Sequence, residues 1–137
     1  MFCGCSGRRC VHAEEMNTEY AATVEEMLSG WMKAEDVDLK TFECGNMEYF
    51  KNILNGCDSL TRTEVPFSTF SVTTFKGMFQ DYPSLQELDL NSFEAEIINT
   101  YENMFSGCTS LSVLKIESFK VSADSEVANA FSECSNL

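Results

Sequence analysis

The chain is poor in the groups that most catalytic and metal centres rely on, with one histidine, one tryptophan and two prolines among 137 residues. A cysteine or serine nucleophile needs a base beside it, and His12 is the only imidazole in the sequence. No glycine-rich phosphate loop is present, so the chain reads as non-catalytic and no cofactor is expected. Positive charge is scarce as well. Nine Lys and Arg stand against 22 Asp and Glu, and the net charge of -13 excludes a role that depends on neutralising phosphates. Nucleic acid is therefore not an expected partner. No apolar run approaches the roughly 18 residues needed to span a bilayer, which argues against membrane insertion. Residues 1–20, MFCGCSGRRCVHAEEMNTEY, place both arginines after the few apolar residues, the reverse of a secretory signal. Export is expected to be encoded elsewhere or not at all, and the sequence assigns no compartment.

What is present is a repeat. Hydrophobic residues make up 44% of the chain, enough for one core, and they recur in phase. MFQDYPSLQELDLNSF from Met78 returns as MFSGCTSLSVLKIESF from Met104; MLSGWMKAEDVDLKTF from Met27 and ILNGCDSLTRTEV from Ile53 carry the pattern backwards. MFCGCSG at Met1 and AFSECSNL from Ala130 extend it to both ends. One repeat domain over 1–137 is expected, with units at 1–26 (degenerate), 27–52, 53–77, 78–103, 104–129 and 130–137 (partial).

Reading down the units gives the candidate core. One column is Phe2, Leu28, Leu54, Phe79, Phe105 and Phe131; three more are Ala34, Leu60, Leu85, Leu111, Leu137, then Val11, Val37, Thr63, Leu88, Leu114, then Ala13, Leu39, Val65, Leu90, Ile116. Alternation across the last two predicts a short strand with one buried face. Met16, Phe42, Phe67, Phe93 and Phe119 follow as a further apolar column. Beyond it, Ile98, Tyr101, Met104 and Phe105 fall at offsets of three, six and seven, as do Met47, Phe50, Ile53 and Leu54, spacing that predicts one face of a short helix. Gly30, Gly56 and Gly107 stand where a left-handed residue would close it. Asp124 falls at an apolar helix position, so the last helix is expected to be distorted, with Val121 or Ala123 substituting. L-x-x-L-x-L at this period is the leucine-rich signature. The expected fold is thus an α/β leucine-rich-repeat solenoid, with short parallel strands on the concave wall and short helices on the convex one.

The block MF-x-x-C-x-S-L, seen as MFSGCTSL and less completely as ILNGCDSL and AFSECSNL, resembles the BspA-like leucine-rich repeats, and the likeness covers essentially the whole chain. That resemblance implies adhesion or protein-protein contact at a cell surface or in a secreted protein.

Cys5, Cys57, Cys108 and Cys134 share a column with Trp31 and Tyr82. Because an aromatic cannot replace a metal ligand, the column reads as packed thiols. A rival reading gathers Cys3, Cys5, Cys10 and His12 at one zinc ion, although the Cys3 to Cys5 gap is tighter than usual and Cys10 and His12 fall on the outer strand face; no metal is expected. The outward strand positions form ladders of His12, Asp38, Glu64, Asp89 and Lys115, and of Cys10, Asp36, Arg62, Glu87 and Val113. Asp36, Asp38, Glu64, Glu87, Asp89 and Lys115 are the candidate partner-binding residues, facing a protein with a basic surface; the bland alternative is a solvated acidic face. A second function class is a structural or self-associating element, joined through the C-terminal edge where Leu137 precedes the place of a next strand.

Overall fold

The computed structural model describes residues 10–12, 36–38, 50–53, 59–64, 69, 72–93 and 98–137, with the backbone alone at 10–12, 36–38, 62 and 64. Five three-residue strands recur through it: β1 (Cys10–His12), β2 (Asp36–Asp38), β3 (Arg62–Glu64), β4 (Glu87–Asp89) and β5 (Val113–Lys115). All pair in parallel, in the orders β1-β2 and β3-β4-β5. Parallel neighbours need a long crossover between them, and the remainder of each unit supplies it. The register copies the repeat: Cys10 lies opposite Asp36 and Glu87 opposite Val113, each 26 residues on, while Arg62 lies opposite Glu87, 25 residues on. A second parallel contact, Thr74 to Thr100 to Glu126, joins the same units on another side.

The expected helices are absent from the described residues, and with them the helical wall of the α/β leucine-rich-repeat solenoid. Ile98, Tyr101, Met104 and Phe105 are all buried as one face, but the chain through them is a run of turns. In the matching set, Phe50 and Ile53 are buried and residues 51–53 form a turn; Met47 and Leu54 lie outside the described residues.

Two features of the backbone displace the helix. An α-helix spends each amide on the carbonyl four residues back and keeps φ near -63°. Here alternate amides leave the unit altogether. Phe75, Gly77, Phe79 and Asp81 donate to the carbonyls of Thr100, Glu102, Met104 and Ser106, and Tyr101, Asn103, Phe105 and Gly107 donate to Glu126, Ala128, Ala130 and Ser132, all at 2.7–3.0 Å. The amides between them, on Met78, Gln80, Met104, Ser106 and Cys108, return to the carbonyl three residues back at 3.0–3.3 Å. Left-handed residues also recur inside each would-be helix: Asn52, Gly77, Asn103 and Asn129 form one column, Asp81, Gly107 and Glu133 another, with φ from 54° to 79°. A helix cannot run through positive φ every four residues. Gly107 therefore closes a turn, and its column matters sterically: a Cβ there would stand 2.5 Å from Asp81 Oδ1 and 3.2 Å from Asp81 Cα. Gly30 and Gly56 lie outside the described residues. In the last unit Val121, Ala123 and Asp124 are all exposed, so none fills the apolar position expected there.

One core runs between the strands and the turns. It includes Phe75, Met78, Phe79, Leu85, Leu88, Leu90, Met104, Phe105 and Leu111, with Leu114, Ile116 and Phe119 packed on it at partial burial. Thr63, in the leucine column, is buried too. The phenylalanine column stacks face to face, with ring centroids 5.9 Å apart for Phe79 and Phe105 and 5.2 Å for Phe105 and Phe131. Phe75, Phe93, Tyr101 and Phe119 form a second aromatic group at centroid distances of 5.1–5.9 Å. Each such pair contributes about 0.5–1.5 kcal/mol beyond its burial. Phe131 and Leu137, which belong to core columns, are 48% and 54% exposed because no described unit covers them.

Candidate functional site

In a strand successive side chains point to opposite faces, and β4 obeys this: Leu88 is buried while Glu87 and Asp89 are half-buried on the other side. The register sets Glu87 between Arg62 and Val113, and Asp89 between Glu64 and Lys115. Two rows of positions thus lie side by side across β3, β4 and β5. Val113 is exposed at the end of the first row.

Lys115 ties the rows together. Its Nζ lies 3.0 Å from Asp89 Oδ2 and 3.6 Å from Glu87 Oε1. The hydrogen bond to Asp89 raises the Lys115 pKa most, the charge of Asp89 adds to this, and Glu87 contributes further. Asp89 Oδ1 accepts the Asn91 amide at 3.1 Å, and Asn91 Oδ1 accepts the Glu117 amide at 3.1 Å. The carboxylate is therefore held from both ends, and this part of the face carries a paired charge rather than bare repulsion.

Of the six candidate residues, Glu87, Asp89 and Lys115 meet in one ion-paired group, and Glu64 is in register beside Asp89. Asp36 and Asp38 lie in β2, opposite Cys10 and His12 of β1, in a separate ladder; β2 and β3 are adjacent without ladder pairing. For the rival zinc reading, Cys3 and Cys5 lie outside the described residues, and Cys10 and His12 occupy alternate positions of β1. Among the described residues no three His, Cys, Asp or Glu side chains gather to hold a metal.

The cysteine column is placed at Cys108 and Cys134, both free thiols. Each Sγ donates to a carbonyl of the preceding unit, Cys108 to Phe79 at 3.0 Å and Cys134 to Phe105 at 3.1 Å. Burial pushes the Cys108 thiol up to about 12, which keeps it protonated and poorly nucleophilic.

The apolar columns do not mark the hydroxyls that join neighbouring units. Thr109 Oγ1 donates to the Pro83 carbonyl, Ser135 Oγ to Thr109, Ser112 Oγ to Gln86 and Ser118 Oγ to Leu90, at 3.3–3.4 Å. Their signal was the in-phase set Pro83, Thr109 and Ser135, which carries no hydrophobic periodicity.

The family model described as "Mycoplasma protein of unknown function, DUF285" matches residues 13–137. No curated protein and no solved structure matches the chain.

Proposed function

The chain thus belongs to the DUF285 family, and from that premise we propose that it is a non-catalytic interaction module that binds a protein with a basic surface through the outward face of its strands. The observation that carries this reading is the register of β3, β4 and β5, which sets Arg62, Glu87 and Val113 in one row and Glu64, Asp89 and Lys115 in the next. Such rows offer charge, hydrogen bonding and an exposed Val113 on rigid elements, and repeat proteins commonly use surfaces of this kind. The net charge of -13 would steer a basic partner to it. The resemblance to BspA-like repeats favours adhesion as the setting for that contact.

The test uses immobilised poly-lysine as a surrogate basic surface. Replacing Asp38, Glu64 and Asp89 together with lysine is expected to lower its affinity at least tenfold. The same reversal at Asp124, Glu126 and Glu133, which are exposed elsewhere, changes net charge equally and is expected to weaken binding much less. Circular dichroism should be unchanged in both. Equal loss from the two triples would mean that net charge alone attracts the probe, and the strand face would lose its role. Binding should also fall as salt approaches molar levels.

A further inference from the structure

The last residue of each strand reads His12, Asp38, Glu64, Asp89 and then Lys115, three acids followed by a base. Register sets Lys115 directly opposite Asp89, and alternation along β4 puts Glu87 on the same side as Asp89, two residues before it. Lys115 is thus delivered to two carboxylates at once, with Nζ 3.0 Å from Asp89 Oδ2 and 3.6 Å from Glu87 Oε1. Because β4 has a strand on each side, the 30% and 31% exposure of these acids belongs to the face and not to an end of the ladder. An ion pair this open to water adds little to folding. Its larger consequence is for an approaching charge: two carboxylates with one ammonium present a single net negative charge, where the bare acids would present two.

We propose, resting on the strand-face reading above, that Lys115 limits how tightly this face holds a basic partner, because its ammonium takes the place at Glu87 and Asp89 that a partner's cation would occupy. A lysine or arginine of the partner must displace Lys115 or settle beside it against like charge. The turn segments hold a natural comparison. There Lys76 Nζ lies 2.6 Å from Glu102 Oε2, with the two side chains 50% and 29% exposed. Removing either lysine changes net charge by the same amount and releases a carboxylate, but only one of the two lies on the strand face.

The test measures the affinity of the 1–137 chain for immobilised poly-lysine at low salt. Lys115→Gln is expected to bind about two- to fivefold tighter than the native chain, and Lys76→Gln to gain much less. Lys115→Arg, which keeps a charge at the acids, should bind no tighter than native. The gain from Lys115→Gln should vanish as salt approaches molar levels. Lys115→Met retains the aliphatic stem and supplies the same comparison if Lys115→Gln fails to fold. Equal gains at 115 and 76 would mean that net charge alone governs the affinity, and a loss or no change at 115 would mean that Lys115 does not compete; each of these overturns the proposal. Failure of the strand-face reading is a separate result, seen as equal losses from the two acid triples described above.

Discussion

At the scale of single residues, what governs this chain is the sign of φ at two positions per unit. Gly107, at φ 79°, has both a backbone that other residues resist and no room for a Cβ beside Asp81. Gly107→Ala is expected to destabilise by about 1–2 kcal/mol from the backbone alone, with a further cost for moving Asp81, read as a lower urea midpoint. Gly77 differs, because the nearest atom to its Cβ is the mobile end of the Gln80 side chain, at 3.1 Å. Asparagine already fills the equivalent positions at 52, 103 and 129. Gly77→Asn should therefore cost no more than about 1 kcal/mol, and a loss as large as that at 107 would contradict the column. These residues were visible in the sequence. Asn103 lies inside the stretch that the apolar spacing reads as a helix and Gly107 just past it, where a glycine equally suits a helix stop, so the residues were legible but their left-handed backbone was not.

At the scale of elements, apolar columns were readable and the backbone that carries them was not. Leu85, Leu88, Leu90, Phe93 and Leu111 are buried where the periodicity set them, since burial follows from one residue per unit facing its neighbours. In β4 the alternation set Leu88 inward and Glu87 and Asp89 on the other side, as the structure has them. Offsets of three, six and seven at Ile98, Tyr101, Met104 and Phe105, however, are met equally by a helix and by tandem turns that close three residues back. What separates the two is where each amide donates, and side-chain periodicity does not record it. In the strand face the alternation placed Lys115 near acids but could not show that it bridges Glu87 and Asp89. The stacked rings give the element-scale expectation. Phe105, covered by a ring on each side, should lose about 3–5 kcal/mol on truncation to alanine, whereas Phe131, covered on one side, should lose under about 1 kcal/mol in dilute monomer. Chemical denaturation of the two variants compares them directly.

At the scale of the whole molecule, four ionisable groups among the described residues favour neutral over alkaline pH. Burial raises the thiols of Cys108 and Cys134 and the phenol of Tyr101. The unfolded chain therefore ionises first at each, and folding weakens as pH climbs past their ordinary values. Lys115 is raised by Asp89 and Glu87; its contribution is whole below the ordinary lysine value and is lost as pH rises through the folded one. The signs agree, so the urea midpoint should be level near neutrality and fall from about pH 9 upward. A midpoint that rises over that range would show the assignment of causes to be wrong. One last property follows from the step of 25 residues between β3 and β4 beside steps of 26 elsewhere. The ladders keep their pairing across that change, so what is inherited from unit to unit is a count of hydrogen-bonded rungs, not of amino acids. Val65 and Phe67 are two apart where Leu39 and Phe42, or Leu90 and Phe93, are three apart. The shorter spacing after β3 thus marks where this chain sheds a residue in sequence while β3 and β4 keep their register.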